Sequence, residues 1–185
     1  MRKSEDKSRE HAGKDIRSSI DVFAELYEQH FPKVFRYISY RVNDIHLAED
    51  LTSEVFVKAL KGFSSYRSDR ASFSTWIMSI ARHTVIDHHR VGGKREVVSL
   101  EQAAETPSEG QAEEEAIRKE ELQRLQICLA GLAQQEQEII SLKFGAELTN
   151  RQIAGMLNLS ESNVGTILYR AVRKLRDCFG GWQNG

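Results

Sequence analysis

The feature that most constrains this sequence is a long run without Gly or Pro, FSTWIMSIARHTVIDHHR, at residues 73–90. Its apolar stripe has the spacing of one helix face and consists of Phe73, Ile77, Ile80 and Thr84. Ser72, directly before the run, is a residue type that caps helix N-termini. The stretch is therefore predicted to be one α-helix.

The polar residues of the same helix leave two interpretations open. Trp76 and His83 lie on a neighbouring face, and basic or potentially basic residues gather toward its end, at Arg82 and residues 88–90. In single-stranded nucleic-acid sites, aromatic rings stack on bases and cations bind phosphates, so this mixture fits such a site. A buried helix whose Trp and Phe belong to the core explains the same pattern. The neighbouring motifs decide between the two.

Charge is segregated along the 185 residues, although the formal net charge is only −1. Residues 61–95 and 148–176 are rich in Arg and Lys and poor in acidic residues. Residues 96–121 are dominated by Glu. The chain is therefore predicted to contain two basic modules joined by an acidic connector, and each basic module can bind a polyanion.

Composition and targeting features indicate a globular, cytoplasmic protein. Hydrophobic residues make up 40% of the chain and charged residues 29%, which is ordinary for such a protein. No apolar run follows the charged start, and none reaches the roughly 20 residues of a membrane helix, so no signal peptide or span is expected. Cys128 and Cys178 match no metal spacing and are predicted to be reduced, without a disulfide.

The N-terminal half is predicted to be a compact helical domain over residues 19–93. The polar residues 1–18 lack periodicity and are predicted to be a disordered extension. One helix is expected to begin near residues 19–21, and Pro32 suits the first turn of a second helix.

A third helix is predicted over about residues 45–61. Its outer stripe, for which a solvated face is the default interpretation, consists of Asp50, Ser53, Glu54 and Val57. A Gly/Ser loop at residues 62–72 then leads to the helix that begins at Phe73.

The C-terminal half is predicted to be a second helical domain, over residues 113–179. Residues 94–112 contain Pro, Gly, Ser and Glu and are expected to form a flexible acidic linker. Helices are predicted from about residue 113 and again over 134–144. Residues 180–185 are a short tail.

The last block of the chain has the pattern of a helix-turn-helix. Thr149 and Gln152 have the spacing of a capping box, Asn158-Leu159 makes a tight connection, and Ser160 is the N-cap of the final helix. That helix is polar at its start and basic toward its end. In DNA-binding helix-turn-helix proteins, the start of the second helix meets base edges, while flanking basic residues meet phosphates. An ordinary helical hairpin is the alternative.

Three motifs in this order resemble a bacterial RNA polymerase sigma factor of the extracytoplasmic function (ECF) group, within the sigma-70 family. They are AEDLTSEVFVKAL (48–60), FSTWIMSIARHTVIDHHR (73–90) and LTNRQIAGMLNLSESNVGTILYRAVRKL (148–175). The resemblance covers roughly residues 19–177. It implies an all-α fold with two small helical domains, region 2 and region 4, joined by the flexible acidic linker. It implies transcription initiation at promoters with core RNA polymerase, a cytoplasmic location and no cofactor.

The resemblance also implies roles for individual residues. Those that would bind the polymerase are Asp50, Ser53 and Glu54. Those that would bind and melt the −10 element are Phe63, Tyr66, Arg67, Arg70, Phe73, Trp76, His83 and Arg90. Those that would bind the −35 element are Arg151, Ser160, Glu161, Ser162, Asn163, Thr166, Arg170 and Lys174.

The sequence departs from the family pattern at several positions. Ser53 stands where the family commonly has Gln, and His83 where it often has Asn. Ala133 occupies the position of a usual Pro, and Gly165 and Ile167 occupy positions that are often basic. The base preference and the strength of the polymerase contact therefore do not transfer from the family.

Two other classes of protein compete with this interpretation. A free-standing regulator would share the terminal helix-turn-helix but would lack the Asp50–Glu54 stripe and the aromatic, basic helix. An enzyme would use Asp87-His88-His89 as part of a metal phosphoesterase site, but such a site needs further ligands, and the sequence has no strand pattern to carry them. A sigma factor with no catalytic activity of its own is therefore expected. The sequence leaves open whether an anti-sigma factor is a further partner.

Overall fold

The structure, a computed structural model, describes residues 2–42, 44–91 and 109–183. These residues form seven α-helices and contain no strand. The helices are α1 (Arg2–Ser39), α2 (Ile45–Gly62), α3 (Phe73–Val91), α4 (Glu109–Ala130), α5 (Gln134–Ile140), α6 (Asn150–Leu157) and α7 (Glu161–Gln183). The all-α fold is therefore confirmed. Most of the predicted linker, residues 94–112, lies outside the described residues, and α4 begins at Glu109.

Helix α1 differs from the prediction in two ways. It begins at Arg2, where we expected a disordered extension up to residue 18, and it continues through Pro32, where we expected a second helix to start. The N-terminal residues are mostly good helix formers, and a helix that is already nucleated adds one hydrogen bond per residue. At Pro32 the cost of about 3 kcal/mol is offset because Phe23 on one side and Val34 on the other both pack into the core.

Helices α1, α2 and α3 pack together as the N-terminal bundle. The apolar stripe of α3 read from the sequence is largely buried, with Phe73, Ile77 and Thr84 in the core, and Val55 and Ala59 of α2 are buried beside it. Asp44 caps α2, because its carboxylate accepts hydrogen bonds from the backbone N–H groups of His46 at 2.8 Å and Leu47 at 3.3 Å.

Helices α4 to α7 form the C-terminal module, which contains the predicted helix-turn-helix. The capping box is present: the Thr149 N–H donates to Gln152 Oε1 at 2.9 Å, and the Gln152 N–H donates to Thr149 Oγ1 at 3.3 Å. Asn158 ends α6 in the left-handed conformation, with φ 55°. Ser160 caps α7 by accepting from the Asn163 N–H at 3.1 Å. Residues 141–145 extend α5 by a π-helical turn.

Cys128 and Cys178 form a disulfide, which contradicts the prediction of two reduced thiols. The sequence separation of 50 residues gave no sign of this. The pairing arises because α4 and α7 lie side by side and bring the two Cα atoms to 5.9 Å, within the range that a disulfide bridges.

The N-terminal bundle and the C-terminal module are packed against each other. The main contact joins α1 to the turn at residues 141–145, and a smaller one joins α3 to α6. Buried side chains from both parts belong to one continuous hydrophobic cluster, which includes Val34 and Ile38 of α1 and Ile139 and Leu142 of the C-terminal module. The two parts therefore share a core.

Candidate nucleic-acid and polymerase interfaces

The predicted polymerase-binding residues lie together on the outer face of α2. Asp50, Ser53 and Glu54 are all exposed, and Glu54 is paired with Lys58 at 2.7 Å along the helix. Two exposed apolar side chains, Val57 and Leu60, continue the outer side of this helix toward its C-terminus. Because carboxylates repel DNA phosphates, we expect this face to contact protein rather than DNA.

The aromatic residues predicted to bind the −10 element form a packed cluster. Ring centroids lie 5.0 Å apart for Tyr66 and Trp76, 5.4 Å for Phe73 and Trp76, and 5.2 Å for Phe23 and Phe63. The Tyr66 hydroxyl also donates to the Ala71 carbonyl at 3.0 Å, which closes the loop. The cluster therefore holds the loop over residues 63–72 in place.

Burial separates these aromatic residues into two groups. Phe73 is only 6% exposed and has ring neighbours on several sides, so it has no free face for a base. This is the core interpretation of α3, and it is the correct one for Phe73. Phe63, Tyr66 and Trp76 are half-buried. Among the four aromatic residues predicted to bind the −10 element, these three keep some exposed surface.

Arg67 and Arg70 of the loop and Arg90 near the end of α3 are exposed. Arg67 makes two parallel hydrogen bonds to Asp69, both at 3.1 Å, and Arg90 pairs with Asp87 at 3.3 Å. Exposed ion pairs of this kind contribute little to stability, about 0–1 kcal/mol, so these guanidinium groups are free to exchange a carboxylate for a phosphate.

His83 is exposed on α3, and its ring is oriented by the backbone. Nδ1 lies 2.7 Å from the Ser79 carbonyl oxygen. A carbonyl only accepts, so Nδ1 carries the proton and Nε2 of the neutral ring is an acceptor. His83 therefore presents its Nε2 atom to a nucleotide.

Helix α7 presents its polar face to solvent, as the sequence predicted. Exposed residues on this face include Ser160, Glu161, Ser162, Asn163, Thr166 and Arg170. Buried Val164, Leu168 and Ala171 fix the opposite face against the module. The Thr166 hydroxyl donates to the Ser162 carbonyl at 3.0 Å, so toward a base it acts as an acceptor. Arg151, on α6, is exposed as well.

Lys174 is exposed but is paired with a carboxylate of the C-terminal module. Its Nζ lies 2.8 Å from both carboxylate oxygens of Glu136, which also accepts from the Ala133 N–H at the start of α5. The hydrogen bond from Lys174 is the main cause that lowers the pKa of Glu136 below 4.5. Lys174 thus joins α7 to α5.

Tyr169 is absent from the residues that the sequence assigned to DNA, yet it is a large hydrophobic side chain that α7 exposes to 70%. It lies three residues after Thr166 and four before Arg173, so it shares their helix face. This helical spacing is visible in the sequence and could have placed Tyr169 on the same face as Thr166 and Arg173.

Among the described residues, no three His, Cys, Asp or Glu side chains are placed to hold a metal ion, and Asp87 of the proposed phosphoesterase motif pairs with Arg90. Within the same part of the chain, no helix combines the length and apolarity needed to cross a membrane.

A helical bundle joined to a helix-turn-helix module with an exposed polar recognition helix defines the class: a two-part, DNA-binding transcription protein. Family models identify its parts, since Sigma-70 region 2 matches residues 26–95 and Sigma-70, region 4 matches residues 128–177. The chain belongs to the ECF group of the sigma-70 family of RNA polymerase sigma factors.

Individual relatives agree with this assignment. The chain is 34% identical over 156 residues to the ECF RNA polymerase sigma factor BldN of Streptomyces coelicolor, which covers 84% of this chain and 59% of BldN. It is 32% identical over 158 residues to the RNA polymerase sigma factor YlaC of Bacillus subtilis, which covers 84% of this chain and 91% of YlaC.

Two solved structures share the fold. CnrH, in complex with the cytosolic domain of CnrY, has a TM-score of 0.66 at 20% identity and covers 86% of this chain and 88% of its own. RpoE of Bartonella quintana, in complex with the anti-sigma factor NepR, has a TM-score of 0.66 at 17% identity and covers 85% of this chain and 96% of its own.

Proposed function

We propose that this chain binds core RNA polymerase and directs it to promoters, reading a −35 element with α7 and a −10 element with α3 and the preceding loop. The observation that carries the proposal is α7. Its cap, buried inner face and exposed polar outer face are what a major-groove reader needs. The family match supplies the polymerase as the partner.

Each surface has a distinct role in this proposal. On α7, Ser162, Asn163 and Thr166 read base edges, while Arg170 and the neighbouring Arg151 on α6 bind phosphates. Toward the −10 element, Arg67, Arg70 and Arg90 hold the backbone, and Trp76 and His83 receive a displaced base. Phe73 leaves the predicted set because it is buried, whereas Lys174 is expected to contribute less than Arg170 because it is already paired with Glu136.

The same proposal specifies the cellular location and the partners of the protein. It performs no catalytic step itself, because the polymerase makes RNA, and it works in the cytoplasm where the polymerase works. Asp50, Ser53 and Glu54 on α2 dock onto the polymerase. An anti-sigma factor is a further partner that we propose, by analogy with the RpoE–NepR complex.

Charge reversal at the polymerase surface tests the function. Asp50→Lys with Glu54→Lys is expected to abolish promoter-specific run-off transcription with core polymerase, because it reverses the charge of the proposed polymerase contact. Both residues are exposed, so the fold is expected to stay intact. Glu25→Lys with Glu28→Lys, also exposed but on α1, is the matched control and is expected to remain active. Tight promoter binding by the isolated chain, unaffected by the α2 reversal, would favour a free-standing regulator instead.

A further inference from the structure

Thr84 is a polar residue within the buried face of α3. It is 2% exposed, and Ala81 and Val85 of the same helix are fully buried near it. A buried hydroxyl that lacks a hydrogen-bond partner costs free energy, so folded proteins rarely leave one unpaired. Lys58 of α2 supplies a partner here, because its Nζ donates to Thr84 Oγ1 at 3.0 Å. The neighbouring helix therefore satisfies a polar group inside the buried face of α3.

Lys58 holds a second group at the same time. Its Nζ lies 2.7 Å from Glu54 Oε1, one helical turn earlier on α2. An ammonium group has three donors, so the two contacts do not compete. Hydrogen bonds that involve a charged group are stronger than those between neutral groups. Glu54, Lys58 and Thr84 therefore form one continuous chain of hydrogen bonds, which we call the Lys58 bridge.

The Lys58 bridge joins two surfaces that have different roles in the proposed function. Glu54 lies on the exposed face of α2 that is proposed to dock onto the polymerase. Thr84 directly follows His83, on the helix that also carries Trp76, and these two residues are proposed to receive a displaced base. A carboxylate has two oxygens, so Glu54 can keep Lys58 on Oε1 and offer Oε2 to the polymerase. The bridge can therefore stay intact in the complex.

The apolar contact between α2 and α3 does not by itself fix how the two helices are oriented. Ala59 of α2 and Ile77 and Met78 of α3 are fully buried, and the two helices pack together. Apolar burial is non-directional, whereas a hydrogen bond depends on both distance and angle. The Lys58–Thr84 bond therefore adds a directional constraint on the rotation of α3 about its axis and on its position along α2.

An ordinary ion pair along one helix does not account for the whole bridge. Glu54 and Lys58 are four residues apart, and such pairs stabilise a helix without reaching another element. Thr84 lies 26 positions after Lys58 and belongs to a different helix. The second contact thus connects the two helices, and it does so from the face of α2 that carries Glu54.

We propose that Lys58 is a positioning residue, which through Thr84 holds the −10 helix α3 in a fixed orientation on the polymerase-bound helix α2. The inference rests on the proposed function and adds a residue that the sequence assigned neither to DNA nor to the polymerase. In this role Lys58 acts through Thr84 and Glu54 and touches no base itself. Loss of the bridge is therefore expected to slow promoter opening and to leave polymerase binding unchanged.

Four substitutions separate this role from a purely structural one. Thr84→Val removes the acceptor at nearly constant volume, and Thr84→Ser keeps it. Lys58→Met keeps an unbranched apolar stem but removes both contacts. Thr52→Val is the matched control, because Thr52 is also fully buried but donates to the Ala48 carbonyl of its own helix, at 2.6 Å. That variant loses a buried hydroxyl without breaking a bond between helices.

Promoter opening and polymerase binding are measured separately for each full-length chain. The fluorescence of a 2-aminopurine base in the −10 element reports opening with core polymerase, and competition with labelled wild-type chain reports polymerase affinity. We expect the opening rate to fall about fivefold or more in Thr84→Val and Lys58→Met, because small misplacements of a reacting site cost large factors in rate. Thr84→Ser and Thr52→Val should open at the wild-type rate. Polymerase affinity should be the same in all four variants.

The double variant, Lys58→Met with Thr84→Val, provides a further test. If the two residues act as one bridge, the double variant opens the promoter no more slowly than either single variant, whereas independent effects would multiply. Multiplied effects would overturn the bridge. So would normal opening by a folded Thr84→Val chain, or an equal slowing by Thr52→Val. Lost polymerase affinity in Lys58→Met, with normal opening by Thr84→Val, would make Lys58 a polymerase contact instead.

Run-off transcription by the wild type tests the proposed function separately from the Lys58 bridge. If the wild type is active and Thr84→Val opens promoters normally, the function stands and only the positioning role is wrong. If the wild type is inactive with core polymerase, the proposed function fails, and the positioning role fails with it. Circular dichroism confirms that each variant is folded. If Lys58→Met does not fold, the comparison of Thr84→Val with Thr84→Ser carries the same test.

Discussion

Helices α3 and α7 carry the same mixture of polar and apolar residues in sequence, but the structure uses them in opposite ways. On α3, the aromatic Phe73 is turned inward and is 6% exposed, whereas on α7 the aromatic Tyr169 is 70% exposed. The loop before α3 needs an aromatic cluster to hold it, while the turn before α7 is held by left-handed Asn158 and the cap at Ser160. An aromatic residue near a nucleic-acid surface is therefore free for a base only when other residues build the scaffold.

The largest expected effect tests this contrast directly. Phe73→Ala is expected to destabilise the protein by about 3–5 kcal/mol, because it leaves a cavity within the aromatic cluster. Tyr169→Ala is expected to change the free energy of unfolding by less than about 0.5 kcal/mol, as is usual for an exposed position. Urea denaturation followed by circular dichroism measures both. Equal losses in the two variants would show that the two helices do not differ in this way.

A smaller effect concerns the readout of bases by α7. Asn163→Ala is expected to change the order of preference among −35 duplexes, because a good side-chain contact to a base discriminates by about 1–3 kcal/mol. Fluorescence anisotropy with duplexes that differ at single base pairs measures this order. Gln29→Ala removes an exposed amide from α1 instead and should leave the order unchanged. If Asn163→Ala weakens every duplex by the same factor, Asn163 positions the helix and does not read it.

Two cations on α7 sharpen the comparison within one helix. Arg170→Gln is expected to flatten the dependence of log affinity on log salt concentration by about one unit, because one phosphate contact is lost. Lys174→Gln is expected to flatten it less, since Glu136 already neutralises that ammonium group. Titrations of a −35 duplex at several salt concentrations compare the two. Equal slopes for the two variants would mean that Lys174 leaves Glu136 and binds phosphate.

The smallest effect is the pH dependence of the Lys174–Glu136 pair. The pKa of Glu136 is lower in the folded chain, so the folded state binds fewer protons than the unfolded state as the pH falls. The contribution of the pair, at most about 1 kcal/mol, is therefore complete above the unfolded pKa near 4.5 and is lost as the pH falls through the lower, folded value. Urea denaturation of wild type and Glu136→Gln should differ at pH 7 and converge in acid. A difference that stays constant down to acidic pH would assign it to packing.

Features encoded within one helix or its cap were predictable from the sequence. The capping box at Thr149, the N-cap at Ser160 and the inward stripe of α3 depend on residues a few positions apart, and all three are present. The exposed stripe of Asp50, Ser53 and Glu54 follows from the same periodicity.

Features that depend on how helices pack were not predictable in this way. The Cys128–Cys178 bridge needs α4 beside α7, and the continuity of α1 through Pro32 needs a core on both sides of the proline. The pairing of Lys174 with Glu136 joins residues 38 positions apart. Helical periodicity says which face turns inward, but it does not say which partner that face meets.

The shared core has a consequence for how the protein melts. Val34 and Ile38 of α1 belong to the same hydrophobic cluster as Ile139 and Leu142 of the C-terminal module. Thermal unfolding of either the N-terminal bundle or the C-terminal module therefore exposes apolar surface on the other. While the bundle and the module are packed together, the chain is expected to unfold in a single calorimetric transition whose van't Hoff and calorimetric enthalpies agree. A chain in which the bundle and the module have separated should unfold in two steps. The number of heat-absorption peaks is then a direct report of whether the two parts are coupled.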